Sequence, residues 1–193
     1  KEDIFASQDI QIKFITGSDP AEYYKFTKQD LSEYAFIITS KSFSTIETLS
    51  SYTAITKGKF FDQTYAVTSD IKKAESYGLD LNNIAKIDIG TGGRFSLWSA
   101  VNLGLFMRLG REGFENFLSG GKAIDNLSWK GVKNNPALSL AIQDLIMNNL
   151  LQMDSTLILN YDYKLRNFSS YIQQLEMESL GKSVDRDTGE SLS

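Results

Sequence analysis

The chain has 193 residues, 41% hydrophobic and 23% charged, with a formal net charge of −4, the balance of a globular protein. It holds no cysteine and no histidine, which excludes disulfide scaffolds, thiolate metal sites and any Ser-His-Asp or Cys-His mechanism within these residues, and leaves zinc, copper or non-haem iron without their usual ligands. The acidic balance, with no concentrated basic face, argues against nucleic acid as a partner, and no apolar run reaches the roughly 18 residues that span a membrane. The opening KEDIF has neither a methionine nor a signal-peptide pattern; it reads as the inside of a longer protein, and the absence of cysteine fits a reducing cytoplasm.

Along the chain, four short runs rich in Ile, Val, Phe and Thr are predicted as buried strands: QIKFIT (11–16), YAFIITS (34–40), QTYAVTS (63–69) and AKIDIG (85–90). Helix starts lie between them. Asp19-Pro20-Ala21-Glu22 offers an N-cap, a first-turn proline and a glutamate placed for a capping box, and Ser44-Thr45-Ile46-Glu47 repeats the capping-box pattern. Asp70 can cap a short helix that Gly78 would stop. Strand and helix alternating at this spacing predict a parallel sheet covered by helices. After residue 94 the pattern turns helical over 95–109, 112–118 and 136–152, with SGGK and WKGVKNNP as loops. STLILNY (155–161) then predicts a strand opening a second α/β unit, followed by a helix over 163–179.

Three stretches could carry chemistry. SKSFSTIET (40–48) packs five hydroxyl residues around one lysine where a strand gives way to a helix. Ligands of parallel α/β sheets bind beyond the carboxyl ends of strands, and a helix N-terminus offers unpaired N–H groups suited to phosphate. The plain alternative is a well-capped helix. In TGGRFSLWS (91–99), two glycines let a ligand approach the backbone, and Arg94 stands at a helix start, where a cation is locally unfavourable. A surface ion pair would explain that arginine equally well. In QQLEMESLGK (173–182), Gln174 and Glu178 fall one turn apart, on a helix whose apolar stripe is Leu165, Phe168, Tyr171, Ile172 and Leu175. A solvated helix end is the alternative here.

Together these stretches resemble the phosphoglucose isomerase family. SKSFSTIET is similar to its phosphate loop, S-K-T-F-T-T-x-E-T; GGRFSLWSA resembles its first signature and QQLEMESLGKSVDR its second. FENFLSGGKAID and LILNYDYKLRNFSSYIQQ resemble its connecting helices and second-domain strand, so the likeness runs over nearly the whole chain in the family's order. Ser42 and Ser44 stand where the family has threonine, Ile46 where it usually has Gln, and Gly90 and Thr91 where it has Trp and Val. Asn160 replaces a proline and Leu180 an asparagine. These departures touch loop shape rather than the reacting groups.

The resemblance implies an aldose–ketose isomerase that interconverts glucose-6-phosphate and fructose-6-phosphate through a cis-enediolate, without cofactor or metal. It assigns the sugar phosphate to Ser40, Ser42 and Thr45 with the Lys41 backbone beside them, the enediolate to the turn of Gly93 and Arg94, a substrate contact to Gln174 and the catalytic base to Glu178. One carboxylate can take and return the proton that moves between adjacent carbons, and partial desolvation would raise its pKa toward the working pH. An arginine that stays ionised can oppose the enediolate charge. The fold implied is a three-layer αβα sandwich with a parallel, flavodoxin-like sheet, as parts of two sugar-isomerase domains: 1–94 the later half of the first, 95–153 connecting helices, 154–193 the start of the second. A glycine-rich G-G-S loop is expected before residue 1, and a ring-opening histidine and a lysine after residue 193, in a cytoplasmic homodimer of glycolysis and gluconeogenesis. These 193 residues alone are accordingly expected to be inactive. A sensor of sugar phosphates on the same fold is the competing reading; it would keep the hydroxyl loop but need neither Arg94 nor Glu178.

Overall fold

The computed structural model describes residues 10–17, 19–153 and 155–191, and the side chains among them other than those of Arg94, Glu178, Ser179 and Leu180. By compactness the chain divides into Lys1–Gly120 and Gly121–Ser193.

The first unit holds a parallel sheet in the order β1 (Phe36–Thr39), β2 (Thr64–Thr68), β3 (Ile84–Lys86). Phe36 pairs with Thr64, and Ala66 lies between Ile38 and Ile84. Parallel neighbours need a crossover. Helix α1 (Pro20–Tyr23) precedes the sheet, α2 (Ile46–Thr56) joins β1 to β2 and α3 (Ile71–Ser76) joins β2 to β3. The central strand is buried at Thr64, Ala66, Val67 and Thr68, as expected where both faces of a strand are covered. Its polar groups are paired: Thr64 Oγ1 donates to the Phe60 carbonyl at 2.7 Å and shares a 2.8 Å hydrogen bond with the Tyr52 hydroxyl. Ile38, Phe43, Tyr52, Ala66, Ala74 and Leu79 form one core cluster, and Phe26, Leu31 and Ile55 a second.

Two of the expected helix starts form as read. Asp19 accepts from the Ala21 N–H at 2.9 Å with Pro20 in the first turn, and Asp70 accepts from the Lys73 N–H at 3.1 Å. Gly78 ends the second of these helices with φ +110, a conformation few side chains tolerate. The Glu22 carboxylate, however, closes no capping box on Asp19. It accepts the N–H groups of Thr16 and Gly17 at 2.8 and 2.9 Å, and these bonds hold its pKa below the ordinary value.

That contact bears on the first expected strand. Residues 11–16 join no ladder among the described residues. Instead the Thr16 N–H is taken by a carboxylate, and Ile15 packs against the Phe26 cluster. The fourth run is shorter than expected. β3 stops at Lys86, one more ladder bond runs from the Ile87 N–H to the Thr68 carbonyl at 2.9 Å, and the Asp88 carboxylate then accepts the Gly90 N–H at 2.6 Å, turning the chain away.

Beyond the sheet, short 3₁₀ turns at Gly93–Trp98 and Ala100–Asn102 lead into α4 (Leu103–Ser128). Gly110 (φ 69, ψ −179) separates it into two arms. The expected SGGK loop is helical. Gly120 and Gly121 each cost a helix about 1 kcal/mol, but apolar residues continue at helical spacing through Ile124 and Leu127. On the first unit's side, Trp98 stacks on Phe117 at 5.3 Å and Phe106 meets Phe114 edge-on at 5.5 Å.

The regular elements described in the second unit are helices, beside one isolated antiparallel bridge between Val184 and Ser191. Asn135 caps α5 (Pro136–Leu145) by accepting the Leu138 N–H at 3.0 Å, and the helix continues as a π-wound turn, Ile146–Leu150. Residues 155–161, expected as a strand, join no ladder among the described residues, and Leu157 and Tyr161 are 80% and 93% exposed. The alternating pattern suits a sheet, but a strand exists only against a neighbour that completes its backbone hydrogen bonds. A 3₁₀ turn (Tyr163–Leu165) then leads to α6 (Phe168–Gln173), which runs into a π-wound segment, Gln174–Leu180. No helix among the described residues is long and apolar enough to cross a membrane.

Candidate active site

The hydroxyl-rich run leaves the carboxyl end of β1. Ser40 is buried, and its N–H continues the ladder to the Val67 carbonyl at 3.1 Å. The chain then folds into a tight turn, closed by the Phe43 N–H on the Ser40 carbonyl at 3.1 Å. Phe43 takes φ 46 with a buried ring packed edge-on against Tyr77, centroids 5.6 Å apart. Ring burial holds a left-handed backbone that glycine would adopt without strain.

The expected capping box at Ser44–Glu47 does not form. Thr45 is the N-cap of α2, yet its side chain caps nothing. Its Oγ1 is drawn 2.9 Å from Ser40 Oγ, and Ser42 and Ser44 share a 2.6 Å hydroxyl pair. Helix α2 therefore presents its first N–H groups without a side-chain cap, beside a hydroxyl cluster. An oxyanion can use both.

The glycine turn follows β3, so it leaves the same end of the parallel sheet as the hydroxyl loop. Gly93 opens the 3₁₀ turn, and a Cβ built on it would meet no atom within 4 Å. Its value as glycine is open space rather than an unusual φ. Arg94 lies in that first turn, and its side chain is outside those described. A 3₁₀ turn of six residues has little of the dipole that made a cation at a helix start look costly.

Gln174 and Glu178 both belong to the π-wound segment, in which the Gly181 N–H reaches the Glu176 carbonyl at 3.0 Å. Such i→i+5 winding is uncommon and recurs at functional sites. Gln174 is exposed; the Glu178 side chain is not among those described. Gly181 explains the break that follows, because a Cβ there would collide with the Met177 carbonyl. In the first unit Ser40, Lys41, Ser42 and Thr45 follow the carboxyl end of β1, and Gly93 and the Arg94 backbone come after that of β3; Gln174 and Glu178 lie in the other unit.

The phosphoglucose isomerase family model matches residues 4–192. The chain belongs to that family. It is 34% identical over 196 residues to the glucose-6-phosphate isomerase of Christiangramia forsetii, covering 94% of this chain and 35% of that relative. The glucose-6-phosphate isomerase of Buchnera aphidicola is 37% identical over 163 residues, 78% of this chain and 29% of the relative. A crystal structure of a glucose-6-phosphate isomerase from Chlamydia trachomatis superposes with a TM-score of 0.84 at 28% identity, over 97% of this chain and 38% of that one. The chain spans about a third of the length of these relatives. Residues 40–48, inside the matched range, form the turn that follows β1 and the start of α2.

Sequence reasoning read the end of β2 and the start of α3 as a strand and a helix cap only, and did not connect them to the hydroxyl loop. Thr68, Ser69 and Lys73 all donate to carbonyls of the hydroxyl loop. The run Thr68-Ser69-Asp70, three hydrogen-bonding residues at a strand end, was the available signal.

Proposed function

We propose that this chain supplies the phosphate loop and the proton-transfer helix of a glucose-6-phosphate isomerase, which interconverts glucose-6-phosphate and fructose-6-phosphate. The observation that carries the reading is the hydroxyl cluster in front of the side-chain-uncapped N-terminus of α2. It offers hydroxyls and N–H groups at the carboxyl end of a parallel strand, where an oxyanion is best received. Ser40, Ser42 and Thr45, with the Lys41 backbone, hold the phosphate. Gly93 leaves room for the sugar, and Arg94 opposes the charge of the enediolate. Gln174 orients the substrate, and Glu178 removes the proton from one carbon and returns it to the next.

In this reading the sheet of the first unit belongs to a flavodoxin-like sugar-isomerase domain over 1–94, residues 95–153 connect, and 154–193 begin a second such domain. The enzyme works as a cytoplasmic homodimer without cofactor or metal.

The test separates binding from chemistry in the full-length enzyme. Replacing Ser42 and Thr45 together with alanine should weaken binding of a phosphorylated sugar acid, each lost bond to a charged group costing about 1.5–3 kcal/mol. Glu178→Gln should keep that affinity and slow exchange of the C2 proton with solvent by about 10²–10⁴-fold. Exchange at the parental rate would remove Glu178 from the role of base, and unchanged affinity in the double variant would remove the loop from phosphate binding.

A further inference from the structure

The turn from Ser40 to Phe43 contains no glycine, yet it holds a left-handed residue and two hydroxyl groups, Ser40 paired with Thr45 and Ser42 with Ser44. Local sequence does not account for its stability. Its outer peptides are tied from behind by the end of β2 and the start of α3. The Lys41 carbonyl accepts three hydrogen bonds: from the Ser69 N–H at 2.9 Å, from Ser69 Oγ at 2.7 Å and from Thr68 Oγ1 at 3.0 Å. The Ser42 carbonyl accepts from Lys73 Nζ at 3.2 Å, and Lys73 is itself held 3.2 Å from the Asp70 carboxylate. Asp70 caps α3 through the Lys73 N–H, so one short helix start fixes both ends of the arrangement.

A trans peptide is planar, and its N–H points opposite to its C=O. Binding the Lys41 carbonyl to the end of β2 therefore turns the Ser42 N–H away from β2. Among the described residues that N–H has no acceptor. We propose that Thr68, Ser69 and Lys73, the last oriented by Asp70, are positioning residues that hold the Lys41–Ser42 peptide with its N–H available to the bound phosphate. This inference rests on the phosphate-loop reading above and extends it to a segment that touches no substrate. A loop aligned in advance loses less conformational freedom when ligand binds, and the gain is in uniform binding rather than in the chemical step.

The experiment compares Lys73→Met and Ser69→Ala in the full-length enzyme, with the Ser42/Thr45 double alanine variant as reference. Lys73→Met should raise KM and the Kd for a phosphorylated sugar acid by about tenfold while kcat falls by less than about twofold. Ser69→Ala removes one of three donors and no charge; it should show the same split at about threefold. Both variants should speed amide hydrogen exchange at Ser42 and Phe43. The proposal is overturned if Lys73→Met leaves KM and Kd unchanged while the double alanine variant weakens both. It is equally overturned if Lys73→Met acts and Ser69→Ala does not, because the lysine would then work through its charge. If the double alanine variant itself binds normally, the phosphate-loop reading fails first, and that result is distinct from either of these.

Discussion

In the unit Lys1–Gly120, Ala66, Val67 and Ala74 are fully enclosed around a parallel sheet, whereas in Gly121–Ser193 Leu145, Leu157, Leu159 and Trp129 lie open. Among the described residues of that second unit only Asn135 is buried, and it is polar. Both units carry apolar residues at regular spacing, so composition does not separate them. What separates them is pairing. β2 has a strand on each side and helices that cross back over it, while residues 155–161 have no ladder partner among those described. An apolar stripe becomes a core only when another element arrives to remove it from water. The residues proposed for phosphate binding belong to the sheet-bearing unit, and the proposed base belongs to the other.

The strongest way to break this comparison is to ask whether the 193 residues act alone. They should show no measurable turnover of glucose-6-phosphate. Opening a closed sugar ring needs a group that exchanges a proton near neutral pH; histidine suits that task, and the chain has none. Turnover in a preparation free of contaminating isomerase would overturn the need for residues beyond these 193.

A smaller effect sharpens it. Val67→Ala should destabilise the chain by about 2 kcal/mol, combining lost methyl burial with a cavity that a central strand cannot collapse around. Leu157→Ala in the same 193 residues should change stability by less than about 0.5 kcal/mol, since its side chain is already in water. Urea midpoints at constant slope give both values. In the full-length enzyme the proposed second sugar-isomerase domain would cover residues 154–193, and Leu157→Ala should there approach the cost of Val67→Ala. If Leu157→Ala stays neutral in both settings, the domain assignment for 154–193 is wrong.

The smallest expected effect is one the two units share. The Asp70 carboxylate is held below its ordinary pKa, chiefly by the Lys73 N–H, and the Asp185 carboxylate likewise by the Thr188 and Asp187 N–H groups. In each case the unfolded chain binds the proton more readily than the native one. The contribution to stability is therefore present above the ordinary carboxylate pKa and is lost as pH falls through the folded value. Asp70→Asn and Asp185→Asn should each flatten the loss of stability between about pH 5 and pH 2 slightly. A steeper acid dependence in either variant would contradict the sign.

How much could be read in advance depends on the reach of each interaction. The strand cores at 36–39 and 64–68, the Asp19 and Asp70 caps and the stop at Gly78 were legible because each rests on residues a few positions apart or on a pattern of period two. The grouping of hydroxyl residues over 40–48 was legible for the same reason. Its internal pairing was not. Thr45 has two possible partners, the N–H groups of its own helix and the Ser40 hydroxyl, and the turn built around buried Phe43 brings the second within 2.9 Å. The support from Thr68, Ser69 and Lys73 was invisible because those residues stand 27 to 31 positions from the carbonyls they hold.

The sequence by itself determined which segments could be strands and helices, where most helices begin, and which side chains are candidates for a phosphate and a proton. Only the tertiary structure decided that 11–16 gives an N–H to the Glu22 carboxylate instead of joining a sheet, that SGGK continues a helix, and that 155–161 joins no ladder among the described residues. The physical reason is the same in each case. Propensity and capping act within one turn of the chain, whereas a backbone N–H or an apolar face is satisfied by whichever partner the fold delivers, and that partner can come from anywhere in the sequence.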